Sequence, residues 1–214
     1  MRYITSDLIE SASFFLDVWQ CKNNIQFEEK FMTDQYFNSK YRTILNKNTY
    51  FAKKLKAVYL NVNTGKISDD DFQKLKELAE ECIKMYKKAF DSVEKEATNI
   101  KKHNNEIACL AGAFIFHDSE IDSLVIENDN AVSMRISVYS KECIYHIKFK
   151  CINSYKTENL CGCVGLEIIY TELLKIIGGY EFNFYVYDRR NLKYIEFGFQ
   201  FETAEISIQS MELD

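Results

Sequence analysis

The sequence predicts an α+β protein: an N-terminal helical region, residues 1–105, packed on a C-terminal, mostly antiparallel β-meander, residues 106–214, shaped as a curved sheet or small sandwich. Three observations lead there. Apolar residues recur at steps of three and four through the first hundred positions, which is helical spacing. After about residue 117 the period drops to two, the spacing of strands with one face in a core. Short turn-forming clusters punctuate the second half, and no flexible linker separates the halves, which predicts that they pack together.

In chain order, Ser6 and Asp7 open a first helix whose buried face is Leu8, Ile9, Ala12, Phe15, Leu16 and Trp19. A short helix follows around Ile25 to Met32, and a longer one over about Ser39 to Asn61. "NVNTGK" then makes a turn, with Gly65 free to adopt a left-handed backbone. Ser68 caps a long helix, and Asp69, Asp70 and Asp71 put negative charge on its first turn, where the helix dipole favours it. Its stripe runs from Phe72 through Leu75, Ala79, Cys82, Tyr86, Ala89, Val93 and Ala97 to Ile100, close to a coiled-coil seam and suited to pack on the preceding helix.

In the second half, "VSMRISV" and "CIYHIKFKC" alternate apolar with polar residues, a strand pattern with one face toward water. "NDN" at 128–130 and "SKE" at 140–142 connect strands. "LEIIYTELLKI" is read as a strand because "IIGGYE" makes a hairpin turn after it, two glycines supplying positive φ. "YEFNFYVYD" and "LKYIEFGFQFE" are aromatic strands linked by "DRRN". Six to eight strands are expected in all.

A chain of 214 residues with 47% hydrophobic and 28% charged residues is ordinary globular material. At that size a fold buries roughly 70% of the surface of the unfolded chain and needs no staple. No run approaches the roughly 18 apolar residues of a membrane span, and the opening lacks a secretory core. Seven scattered cysteines, at 21, 82, 109, 143, 151, 161 and 163, fit reduced thiols in a cytoplasm. Net charge is −5; residues 1–105 carry 18 basic and 15 acidic side chains (+3), residues 106–214 carry 9 and 17 (−8). An acidic half repels phosphates, so nucleic acid is not an expected partner. It suits a basic protein.

The densest polar motif is "FIFHDSEID". His117, Asp118 and Glu120 are ligand types for a divalent metal. On a strand, however, neighbours 117 and 118 point to opposite faces. The motif is therefore read as the turn into the first strand, with Asp118 and Ser119 capping it. "CGC" at 161–163, with Cys151 ten residues earlier, lacks the paired spacing and fourth ligand of a zinc site. No phosphate-binding glycine loop or nucleophile elbow is present. Arg189 and Arg190 stand at a hairpin tip. In the last third, Phe182, Phe184 and Val186 face one way and Tyr185 and Tyr187 the other; Ile195, Phe197, Phe199 and Phe201 likewise oppose Tyr194 and Glu196. A tyrosine face suits a protein interface, or a second core under covering helices.

"MRYIT", "FHDSEI" and "YTELLKIIGGYEFNFYVYDRRNLKYIEFGF" together resemble a family of uncharacterised bacterial proteins across nearly the whole chain. Its members open with Met-Lys-Tyr-Phe-Thr, carry a His-Asp motif before a strand meander and end with a Gly-Gly-Tyr-Glu segment. The chain departs from that pattern at Ile4 and Asn183, where the family has phenylalanine and histidine. The resemblance implies a fold pattern and no reaction. A looser likeness, at the His-Asp start, is to immunity proteins of bacterial toxin systems.

These readings lead to a cytoplasmic, non-catalytic protein-binding factor of immunity or accessory type, without cofactor, metal, nucleic acid or membrane. Its expected binding residues are His117, Asp118, Glu120, Tyr185, Tyr187 and Tyr194. Two alternatives are a metal-dependent hydrolase built on residues 117–120 and a small-ligand domain lined by the aromatics.

Overall fold

The computed structural model describes residues 5–127, 130–155, 160–191 and 193–211. The start of "MRYIT" and the first two residues of "NDN" lie outside them. The chain forms two compact units, residues 1–90 and 91–214, dividing inside the longest helix.

Local capping chemistry sets the helices of the first unit. α1 (Ser6–Gln20) is capped by Thr5, one residue earlier than expected; its hydroxyl accepts from the Leu8 N–H. α2 (Asn24–Thr33) is capped by Asn23 and α3 (Gln35–Leu45) by Asp34. The single helix expected over residues 39–61 is two, α3 and α4 (Tyr50–Leu55). The break falls in "NKNT", where Asn46 ends α3 and the Thr49 hydroxyl takes the Ala52 N–H at the start of α4. Asn and Thr side chains compete with the helix for backbone groups, which favours a stop and restart there. Phe14, Phe15, Phe27, Phe31 and Phe37 are all fully buried, and Phe14 stacks on Phe37 at 5.0 Å. Burying one such ring stabilises the fold by about 1.5–3 kcal/mol. The stripe of α1 therefore centres on Leu8, Ala12, Phe15 and Val18, with Phe14 beside it, and Leu16 and Trp19 lie at its exposed margin.

The turn before the long helix follows the sequence reading. Gly65 has φ +67°, and a Cβ there would sit 3.0 Å from Met32 Cγ and 3.2 Å from the Glu28 carbonyl. In α5 (Asp69–His103), the Ser68 hydroxyl accepts from the Asp71 N–H and donates to the Asp71 carboxylate.

The second unit is built on one eight-stranded sheet: β1 (Ser119–Glu127), β2 (Ala131–Val138), β3 (Cys143–Lys150), β4 (Ser154–Tyr155), β5 (Glu167–Ile176), β6 (Gly179–Asp188), β7 (Lys193–Phe201) and β8 (Thr203–Ser210). All neighbours are antiparallel, in the order β4-β7-β6-β5-β1-β2-β3-β8. Period-two patterning places Val132, Met134 and Ile136 of β2, Ile147 and Phe149 of β3, and Phe182, Phe184 and Val186 of β6 in one core. Ala97 and Ile100, from the end of α5, join it. β7 passes into β8 across the single residue Glu202, although the two lie far apart in the strand order. The sheet therefore curves over its own core, and Phe149 of β3 comes within 4.6 Å of Phe199 and 4.9 Å of Phe201 on β7. The β5–β6 hairpin turns on Gly178 at φ +83° and Gly179 at +157°.

Candidate functional site

The polar motif lies where the two meanders of the sheet meet. His117 and Asp118 are in the turn preceding β1, not on the strand. Asp118 takes a left-handed backbone, φ +58°, which brings the two neighbours together: His117 Nδ1 lies 2.9 Å from Asp118 Oδ1. The expectation that they point apart fails for that reason. Strand alternation does not govern a turn, and Asp tolerates the left-handed region better than most residues. The turn reading itself holds, since the Asp118 N–H donates to Ile168 O at 3.0 Å and Ser119 begins β1. Among the described residues, no three or more His, Cys, Asp or Glu side chains gather as a set able to hold a metal ion, including His117, Asp118 and Glu120. Of the cysteines proposed and rejected for zinc, Cys163 is buried and Cys151 exposed; the Cys161 side chain lies outside the described ones.

Cross-strand register then joins this motif to the tyrosines. Glu120 on β1 stands opposite Glu167 on β5. Glu167 stands opposite Tyr187 on β6, and Tyr187 opposite Tyr194 on β7. Residues directly opposite share a face, so four strands contribute to one row, Glu120–Glu167–Tyr187–Tyr194, on the side away from the phenylalanine core. The Tyr187 and Tyr194 rings lie 4.8 Å apart. Tyr185, one pleat along, stacks under Tyr194 at 5.0 Å and 7°. Tyr185 is only 3% exposed, against 37% for Tyr194; Tyr185 supports the row and Tyr194 presents it.

Two carboxylates directly opposite each other repel. An arginine from the β6–β7 turn offsets that repulsion: Arg189 Nε donates to Glu167 Oε2 at 2.9 Å. That bond holds the guanidinium above its ordinary range, with Glu120 and Asp118 adding to it. Arg190 reaches the same corner, its Nη2 and Glu120 Oε1 flanking Gly165. Asp188 shapes the turn: Oδ1 accepts from the Arg190 and Asn191 N–H groups at 3.0 and 3.2 Å, and Oδ2 from Asn191 Nδ2 at 2.7 Å. Below the row, Asp122 is the extra residue of a β-bulge in β1. It takes the Ser137 hydroxyl at 2.6 Å and Arg135 Nε at 3.1 Å. The Tyr139 phenol is pushed up by partial desolvation first, then by the nearby Glu120 and Asp122 carboxylates.

Glu167, Asp122, Asp188 and Tyr139 were not singled out by sequence reasoning. "DRRN" carried the one usable signal, since Asp at the head of a turn bonds backbone two residues on. A separate open groove of about 390 Å³ lies on the outer face of β1, β2, β3 and β8, lined by Ser123, Arg135, His146, Lys148 and Ser207 among others. Two of its cations are matched by acids, Arg135 by Asp122 at 3.1 Å and Lys148 by Glu127 at 2.5 Å, so it offers little net charge to a ligand. Compared with known proteins, the chain matches no family model, no curated protein and no solved structure.

Proposed function

We propose that the chain is a non-catalytic binding factor of accessory or immunity type, acting in the cytoplasm, that holds a basic protein partner with the acidic and tyrosine-bearing face of its C-terminal unit. The observation that carries this is the row Glu120–Glu167–Tyr187–Tyr194 with Arg189 bonded to Glu167 within it. Tyr and Arg are among the residues most enriched at binding hot spots; here Tyr194 packs on Tyr185 and Tyr187, and Arg189 is tied to Glu167. Held side chains lose less freedom on association. The −8 balance of residues 106–214 supplies long-range attraction for a basic surface.

The test is capture from the native host with the full chain and with Tyr194→Ala in parallel. The wild type should retain a basic protein at one-to-one stoichiometry, and Tyr194→Ala should weaken it by about tenfold or more, the loss typical of a hot-spot residue. A partner held equally by both proteins would place the interface elsewhere.

A further inference from the structure

We propose that β8 is a self-association edge, through which two copies of the chain join their sheets about a two-fold axis at Ser207. This surface is separate from the acidic and tyrosine row, and the inference does not depend on it. β8 ends the strand order and, among the described residues, pairs only with β3. Six of its eight positions are exposed, including Ile208 at 54%.

The pleat fixes which backbone groups are open. Met211 N–H donates to Glu142 O at 2.8 Å, in register with the β3–β8 pairing. Hydrogen-bonded pairs alternate along an antiparallel ladder. Gln209, Ser207 and Glu205 therefore turn their backbone groups toward β3, and Ala204, Ile206, Ile208 and Ser210 turn theirs to the open side. Natural edges are usually blunted by lysine, proline or a bulge. β8 contains neither residue, and its register with β3 is unbroken from Thr203 to Ser210.

The strand is also complementary to itself. With Ser207 set opposite Ser207 of a second copy, Ile206 faces Ile208 of that copy, and the reverse. Ala204 and Ser210 pair in the same way, so every open N–H and C=O of β8 gains a partner. On the core side, the isoleucines cover one another. On the outer side, Glu205, which is ion-paired with Lys150, meets the neutral Gln209, so no like charges oppose. This is the isologous pattern that closes at two copies. A strand pair this short falls well under the roughly 1,200 Å² of a stable interface, so the dimer is weak, with a Kd in the micromolar range or above.

The experiment uses the full chain with the exposed Cys151 replaced (Cys151→Ser). Ser207→Cys places two thiols across a non-hydrogen-bonded pair, with Cα atoms about 4.5 Å apart, within disulfide range. In a glutathione disulfide buffer, two protein thiols exchange to one intermolecular disulfide and two molecules of glutathione. Ser207→Cys should yield a covalent dimer at least about fivefold more efficiently than Glu205→Cys, which faces Gln209. Sedimentation should show a concentration-dependent dimer that Ile208→Lys abolishes while leaving the melting temperature unchanged. Equal cross-linking by both cysteines, a monomer at millimolar concentration, or a dimer that survives Ile208→Lys would overturn the proposal.

Discussion

At the scale of single residues, Asp188 and Asp17 carry the sharpest consequences. Asp188 is 7% exposed and accepts three hydrogen bonds that shape the turn bearing Arg189 and Arg190. Asp188→Ala leaves two backbone N–H groups without that acceptor. It should lower stability by about 1–3 kcal/mol in chemical denaturation and weaken partner binding through the displaced Arg189. Asp17 lies between two lysines, with Oδ1 2.7 Å from Lys30 Nζ and Oδ2 2.9 Å from Lys40 Nζ. Burial alone would raise its carboxyl, but the two lysines hold it below the ordinary value. A carboxyl depressed in the folded state stabilises the protein above its unfolded pKa, and that stabilisation is lost as pH falls through the folded pKa. Asp17→Asn should therefore cost about 1 kcal/mol or less at neutral pH, after discounting for solvent screening. It should also flatten the acid side of the stability profile below about pH 4. An unchanged acid profile would show that the Asp17 ion pairs add nothing to stability. Thiol reactivity divides as sharply: Cys151 is exposed, whereas burial pushes Cys82 up to about 12. A thiol reagent at neutral pH should modify Cys151 well ahead of Cys82, which should stay untouched until the chain unfolds.

At the scale of elements, caps and periods decide what forms. Ser68 bonds reciprocally with Asp71 at the start of α5, so Ser68→Ala should cost about 1 kcal/mol, read as a lower melting temperature. The stripe of α5, the β2 and β3 alternations and the Gly178–Gly179 turn were legible because each depends on residues within a few positions of one another. The break between α3 and α4 was less so: apolar spacing runs through it, and only Thr49 and the flanking asparagines mark the restart. Trp19 was misplaced because the burial of α1 centres on Phe15 and Val18 with Phe14 beside them; Phe14 packs on Phe37 of α3 and Phe15 on Phe51 of α4. The candidate site was legible in part. His117, Asp118, Glu120, Tyr187 and Tyr194 could be picked by type. That Glu120 and Tyr194 share a row depends on the β1–β5 register, set by residues nearly fifty positions apart, and no local pattern encodes that pairing.

At the scale of the whole molecule, charge is divided, +3 over residues 1–105 and −8 over 106–214, and no described helix is long and apolar enough to cross a membrane. If the acidic side draws in a basic partner, association must weaken as salt shortens the screening length from about 10 Å at 0.1 M to about 3 Å at 1 M. The association rate, more than the dissociation rate, should carry that loss. Hydrogen exchange on the partner-bound chain tests the binding face itself. The row predicts that segments 117–122, 165–170 and 185–195 gain protection together, because one face of four strands is covered at once. Protection confined to residues 5–90, or found in one of the three segments without the others, would contradict it.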